Sequence, residues 1–458
     1  MDRSSLFDLI KSFVNYLNNI MFLELKSDKR LKVLRRDVEF LQVKVLGAAQ
    51  EVGRSAFQVN CDGANFLLDY GVLLGKEPLY PMHVKPRDID AVIITHAHLD
   101  HSGNVPSLFV NGKSDVYATA PTLELSRLLI EDMLRLGKNF LPFEMPEVIN
   151  MMKHSKEIVY KEKIKLGNSS FELRESGHVI GGGAVIVESE GKRLYYTGDI
   201  NPKGSRMLRR ADLDFGEIDL MITESTYSQT EQMPRDESEE KFIEFAYEIL
   251  DRKGSLFVPS FSVERSQEIA CVLKNAKFKH KVIMDGMAVK VNEIMLHYPE
   301  YLRDPKVFAD SIHQAVWIRG ESERKKVLKE PCVIISPAGM LVGGSAVYYL
   351  QHLALDKKNG IAMVSYQGEG TPGRKLLETG RVNIRGRDAR AEAEVRQFEF
   401  SGHADRNDLF EIIKNIKGNP KILTVHGDAD SCTKFAGEIR GKFGFNALAP
   451  KAGEIVTI

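Results

Sequence analysis

The sequence predicts an α/β architecture, and three observations carry that reading. From about residue 40 onward, short apolar runs rich in β-branched residues alternate with stretches of helical periodicity. Most of those runs stop at a histidine, aspartate or glutamate. The chain has 458 residues, 43% of them hydrophobic and 28% charged, which allows two or more domains with proper cores.

Residues 1–37 differ in texture. Leu6, Ile10, Phe13, Val14 and Leu17 form an amphipathic pattern that runs into the charged stretch LELKSDKRLKVLRRD. The pattern predicts an appended helix, or sequence upstream of a later start such as Met21. Asp8, Lys11 and Asn15 break the apolar stretches and no small-residue cleavage site follows, so a signal peptide is not expected.

The first apolar run to meet a candidate ligand is Asn65–Leu68, ending at Asp69. Asp90–Thr95 has the length and branching of a buried strand and leads into His96, His98, Asp100 and His101. Residues two apart on an extended segment point the same way, so His96 and His98 can converge, while Asp100 and His101 fall where the chain turns. Residues 121–136 predict a helix that opens with Pro121 and stops at Gly137. Phe171–Glu175 runs into Ser176, Gly177 and His178, and Arg193–Thr197 into Gly198 and Asp199. Asp219–Thr223 runs into Glu224. Two more helices are predicted over 237–252, with Phe242, Phe245, Ala246, Ile249 and Leu250 on one face, and over 262–275 after the strand-like SLFVPSF. Near the end, Lys421–Val425 runs into His426.

Imidazole and carboxylate are the usual nitrogen and oxygen ligands of zinc and its neighbours. Any one of these residues alone reads as an ordinary turn residue. Taken together they predict a metal centre, because ligands bind beyond strand ends in α/β sheets and each of these runs leads into a ligand type. Other functions are disfavoured. Net charge is zero, so the chain carries no global polyanion footprint. Cys61, Cys271, Cys332 and Cys432 are far apart, which argues against thiolate zinc sites and disulfides and for a cytoplasmic location. No apolar run approaches the roughly 20 residues of a membrane span, and no Walker motif is present.

THAHLDH together with Asp69, His178 and Asp199 resembles the metallo-β-lactamase fold, whose site holds two zinc ions between two β-sheets. Glu224 in ITESTY, His403 in FSGHAD and His426 in TVHGD resemble three further motifs of the β-CASP nucleases. That branch includes the nuclease subunit of the cleavage and polyadenylation factor, its archaeal homologues and ribonuclease J. The resemblance spans roughly residues 40–458 and is greatest to short archaeal members, since the preceding 40 residues leave no room for the KH domains of longer ones. It implies a four-layer αββα lactamase domain over 38–228 and 393–458, interrupted by an inserted α/β β-CASP domain over 229–392, with 1–37 as an extension.

The resemblance also implies roles. One zinc would be held by His96, His98 and His178, a second by Asp100, His101 and His426, with Asp199 bridging and Asp69 orienting an imidazole ligand. Two dications about 3.5–4 Å apart would activate water for in-line attack at phosphorus. His403 would protonate the departing ribose 3′-oxygen, held and charged by Glu224, to leave a 3′-hydroxyl and a 5′-phosphate. Within the branch, His at the last motif, here His426, points to RNA rather than DNA. The glyoxalase-type ester hydrolases share THAHLDH but lack the inserted domain. Ribonuclease J-like exonucleases tend to carry a second histidine four residues before the acid; Glu399 stands there, and its charge would repel a terminal phosphate, favouring an endonuclease.

Two glycine-rich turns in the insertion, around Ser336 and Gly339 and just before Arg374 and Lys375, are candidate phosphate contacts, as is the RGRDAR segment 385–390. The remaining histidines (His83, His154, His280, His297, His313, His352) match no motif and are expected at the surface or in helix packing. The partner implied is single-stranded RNA, with a homodimer or an RNA-processing complex as the assembly. A β-CASP chain can also serve as an inactive subunit, but such chains lose ligands and this one keeps every position.

Overall fold

The computed structural model describes residues 41–458 apart from 62, 76 and 138–140. The chain divides into two units, Met1–Phe40 and Leu41–Ile458. The helix expected within 1–37 lies outside the described residues.

Two seven-stranded sheets face each other. The first runs Ile455–Thr457, Gln42–Val45, Phe57–Cys61, Ala64–Leu68, Ala91–Ile93, Asp115–Ala118 and Ser155–Glu157 in spatial order. The second runs Asn446–Leu448, Lys421–Val425, Leu220–Glu224, Lys192–Tyr196, Gly183–Ser189, Ser169–Glu175 and Ile164–Leu166. Strand alternation sorts the side chains between layers. Leu194, Tyr196, Ile222 and Leu423 enter the core between the sheets with Phe57, Phe66 and Phe171. Their chain neighbours Tyr195, Met221 and Ile422 face the other way, under helices Arg406–Lys414 and Ala429–Phe443. Helices Ala120–Gly137 and Met145–Lys153 cover the outer face of the first sheet through Leu123, Ile130, Met133, Val148 and Met151. The result is four layers, helix on sheet on sheet on helix.

The segment between Glu224 and His403 builds a third sheet of six parallel strands, ordered Val316–Trp317, Val282–Met284, Val333–Ser336, Leu256–Pro259, Gly360–Met363 and Glu394–Gln397. Helices sit on both faces. Arg235–Asp251, Arg265–Asn275, Met287–Met295 and Pro305–Gln314 pack with Leu256, Val258 and Ile335, while Gly344–Leu353 packs with Phe257, Ile283 and Ile334. Glu394–Gln397, the last strand before His403, pairs in register with Gly360–Met363 as the outer strand of this sheet.

Parallel pairing brings the ligand-type residues to one edge. Leu68 lies beside Ile93 in one sheet, and Tyr196, Ile222 and Leu423 share a row in the other. The segments after those strands therefore emerge at the same end. Phe66 and Phe171 meet across the sheets with ring centroids 5.7 Å apart and are both fully enclosed. Phe171→Ala should cost about 3–5 kcal/mol, read as a lower urea midpoint for loss of tertiary fluorescence or circular dichroism signal.

Candidate metal centre

Three nitrogens converge first. His96 Nε2 lies 3.2 Å from His98 Nδ1, which lies 3.3 Å from His178 Nε2. Asp199 Oδ2 is 3.5 Å from both His96 Nε2 and His178 Nε2. A second group adjoins it: His101 Nε2 is 3.4 Å from Asp199 Oδ1, and His426 is 3.5 Å from the same oxygen. Asp100 Oδ2 stands 3.2 Å from His426 Nε2 and 3.9 Å from His101 Nε2. The two oxygens of Asp199 thus face two different sets of donors. Residues separated by more than 320 positions meet here, as the strand-end pattern anticipates.

The far side of each ring decides which nitrogen faces inward. His101 Nδ1–H donates to Asp69 Oδ2 at 2.7 Å, and His178 Nδ1–H donates to the Gly402 carbonyl at 2.8 Å. Thr95 Oγ1 gives its proton to Asp69 Oδ2 at 2.8 Å and so accepts from His96 Nδ1 at 3.1 Å. His96 and His178 therefore present a bare Nε2 to the centre, while His101, charged by the surrounding Asp199, Asp69 and Asp100, aims its Nε2 the same way and would give up that proton to a bound cation. Asp69 accepts two further bonds, from the Thr95 N–H at 2.7 Å and the Tyr196 hydroxyl at 2.9 Å. It is fully buried. Sequence reasoning missed Thr95, Tyr196 and the Gly402 carbonyl. Thr95 adjoins the histidine motif and could have been flagged; a strand tyrosine and a glycine carbonyl carry no such signal.

Local backbone supports the arrangement. Asp100 and His101 lie on a single helical turn, Leu99–Ser102, whose His98 carbonyl accepts from the His101 and Ser102 N–H groups. The expectation of a plain turn is corrected to that extent. The loop after Asp69 presses on this turn so closely that a Cβ at Gly71 would fall 1.8 Å from the Asp100 carbonyl oxygen. Asp69 and His426 themselves hold φ of 56° and 50°, the left-handed region that aspartate and histidine tolerate better than branched residues.

These residues fit a cation. Burial and the neighbouring imidazoles hold His96 and His178 well below the usual histidine range, so they are neutral and their lone pairs face one another. Asp199 is enclosed, and its Oδ1 has no hydrogen-bond donor among the described residues. A positive ion among these atoms converts repulsion and an orphaned oxygen into coordination.

His403 stands at the rim, one-fifth exposed. Its Nδ1–H donates to Glu224 Oε2 at 2.8 Å, and its Nε2 is 3.9 Å from Asp199 Oδ2. Glu224 is anchored in turn, with Oε1 accepting from the Ile200 N–H at 2.7 Å. Burial pulls the imidazole down, but Glu224 and Asp199 overcome it and raise His403 to about 9.

The insertion residues lie apart from the ligand atoms. Ser336 is enclosed, its hydroxyl bound to Ser345 Oγ at 2.6 Å, which leaves that group unavailable to a ligand. Gly339 packs against Ser365 and the Phe261 N–H. Arg374 pairs with Glu378 at 2.5 Å and Lys375 with Asp388 at 2.7 Å, both exposed. Among the unmatched histidines, His154 and His352 each cap a carbonyl one helical turn back.

The Asp69 carboxylate predicts a measurable dependence. An amide offers one oxygen where two are in use, so Asp69→Asn turns an N–H toward a donor and loosens the His101 ring. Metal affinity, measured by chelator competition, should fall about 10–100-fold.

Three family models match consecutive parts of the chain: the metallo-β-lactamase superfamily at 55–242, the Beta-Casp domain at 266–376, and a Zn-dependent metallo-hydrolase RNA specificity domain at 388–450. Among curated relatives, "RNase aCSPSF2" of Saccharolobus solfataricus is 34% identical over 91% of this chain and 85% of its own length. "Probable RNase MJ4" of Methanocaldococcus jannaschii is 34% identical over 91% of this chain and all of its own. "Transcription termination factor FttA" of the same organism is 35% identical over 91% of this chain and 72% of its own. A solved Enterococcus faecalis protein of unknown function shares the fold at a TM-score of 0.62 and 16% identity, covering 92% of this chain and all of that one. With two facing sheets, an inserted parallel sheet and a histidine–aspartate centre at their common edge, the chain belongs to the β-CASP family of metallo-β-lactamase-fold proteins and is a metal-dependent hydrolase.

Proposed function

We propose that the chain is a zinc-dependent ribonuclease, mainly endonucleolytic, acting in RNA 3′-end processing, transcription termination or decay. The observation that carries the reading is the His403–Glu224 pair beside Asp199. Hydrolysis of a small activated ester has no need of a positioned proton donor, whereas expelling a ribose alkoxide does. The names of the relatives, two ribonucleases and a transcription termination factor, support RNA as the substrate.

His96, His98 and His178 would hold one zinc ion and Asp100, His101 and His426 a second, with Asp199 shared between them. When bound, such a pair activates water and neutralises charge on phosphate oxygens. The protein's own groups do the rest. Asp69, Thr95 and the Gly402 carbonyl fix the imidazole tautomers. Glu224 holds His403 Nδ1–H so that Nε2 carries its proton toward the leaving 3′-oxygen. The products are a 3′-hydroxyl and a 5′-phosphate. Glu399 lies exposed four residues before His403, with its carboxylate accepting from the Met233 N–H at 2.5 Å. A negative charge there disfavours capture of a 5′-phosphate and supports internal cutting.

A circular RNA tests the proposal, since it has no 5′ end to enter. Zinc-loaded protein should linearise it, and His403→Ala should slow the reaction by about 10²–10⁴-fold with metal content unchanged. An RNA whose scissile 3′-oxygen is replaced by sulfur, a leaving group that departs without a proton, should restore much of the variant's rate. Survival of the circle alongside destruction of linear 5′-phosphorylated RNA would favour a ribonuclease J-like 5′–3′ exonuclease. Survival of both with metal bound would favour an inactive subunit of an RNA-processing complex.

A further inference from the structure

Among the described residues, Tyr366 is the one aromatic side chain that is largely exposed, at 52%. It follows the strand Gly360–Met363 of the inserted sheet, on a short segment that is otherwise locked down. Ser365 and Gln367 on either side are buried, and Gln367 Nε2 donates to the Gly339 carbonyl at 3.0 Å and the Ser365 carbonyl at 2.9 Å. Anchored neighbours hold the tyrosine backbone while its ring projects. Such a ring loses little conformational freedom on binding a flat partner.

Its position relates it to the metal centre. Tyr227 is near both: its ring centroid is 6.0 Å from that of His403, its hydroxyl bonds to Ser401, two residues before His403, and its phenol is close enough to that of Tyr366 for the two to interact electrostatically. Burial raises the Tyr227 phenol to about 12, Arg265 pulls it down, and the nearby Tyr366 phenol pushes it further up. On its other side Tyr366 meets an adaptable apolar rim. A Cβ at Gly368 would sit 3.7 Å from Tyr366 Cε1 and 3.6 Å from Met340 Sδ. Arg374, on the helix that follows, is half-exposed, feels the Tyr366 phenol electrostatically, and is tied to Glu378, itself exposed. An ion pair of that kind is weak and exchanges readily for a phosphate.

We propose that Tyr366 is a base-stacking platform at the mouth of the centre, holding one nucleobase of a single-stranded RNA near the scissile phosphate, with Arg374 against that nucleotide's backbone. The assignment rests on the ribonuclease reading above. Stacking on one ring tolerates every base, so the platform positions RNA without imposing a sequence. It also rejects duplex, whose bases are already stacked on each other.

The test uses the full zinc-loaded chain and short single-stranded oligoribonucleotides. Tyr366→Ala should raise KM about 10–100-fold, the scale of one lost base–aromatic stack, with kcat at saturation far less affected. Tyr366→Phe and Tyr366→Trp should restore KM, and Tyr366→Leu should not. A series of RNAs with a single abasic ribose supplies the readout that a structural role would not move. For the unaltered protein, KM should rise at one position near the cut, and for Tyr366→Ala that position should be silent. An unchanged KM in Tyr366→Ala, rescue by leucine equal to that by phenylalanine, or equal abasic sensitivity in both proteins overturns the platform. If the unaltered protein cuts none of these RNAs, the ribonuclease reading fails instead, so the two failures are distinct.

Discussion

One buried carboxylate holds the site together. Asp69 accepts four hydrogen bonds: two from Thr95 and one from His101, all on the first sheet's side, and one from Tyr196 on the second. It therefore bridges the gap between the sheets at the edge where the ligand-type residues emerge. A carboxylate removed from water is costly unless every lone pair is used, and here both oxygens are engaged. Slippage of one sheet against the other would break this set before it disturbed the apolar core. The core supplies most of the stability, while Asp69 fixes the registry that lets Asp199 face two groups of donors at once.

The sequence revealed much of this because strand ends are where α/β proteins place chemistry. His96, His98, Asp100, His101, His178, Asp199, Glu224, His403 and His426 were all legible as strand-end or motif residues, and all meet at one edge. What it concealed has physical reasons. Tyr196 looks like any core aromatic until the second sheet is seen to lie over Asp69. Backbone acceptors such as the Gly402 carbonyl have no residue type to read. The strand Glu394–Gln397 is hard to read because it is an edge strand, partly exposed and carrying Glu394 and Arg396 in place of an apolar run. Ser336 lies in a turn, and a turn sequence does not say which way a hydroxyl points; here it is directed to Ser345.

The insertion does more than lengthen the chain. Helix Arg235–Asp251 and the loop at Ser205–Met207 are laced together by Arg206, Glu239 and Glu268, with Arg206 Nε on Glu239 and the Met207 N–H on Glu268 Oε2 at 3.0 Å. Glu268 is completely enclosed and paired with Arg235, so these charges are expensive to separate. The inserted domain is thereby seated against the loop that follows Asp199.

The order in which the polypeptide emerges from the ribosome now acquires a meaning. His426 follows Lys421–Val425, which slots between Leu220–Glu224 and Asn446–Leu448, and Ile455–Thr457 lies beside Gln42–Val45. Among the described residues, the earliest strand and the latest are neighbours. A nascent chain that has already made THAHLDH, His178 and Asp199 still lacks His403, His426 and the strand that closes the first sheet. The ligand set is therefore finished only when Lys421–Val425 has slotted into the second sheet, and the earlier segments by themselves form a centre short of its last donor.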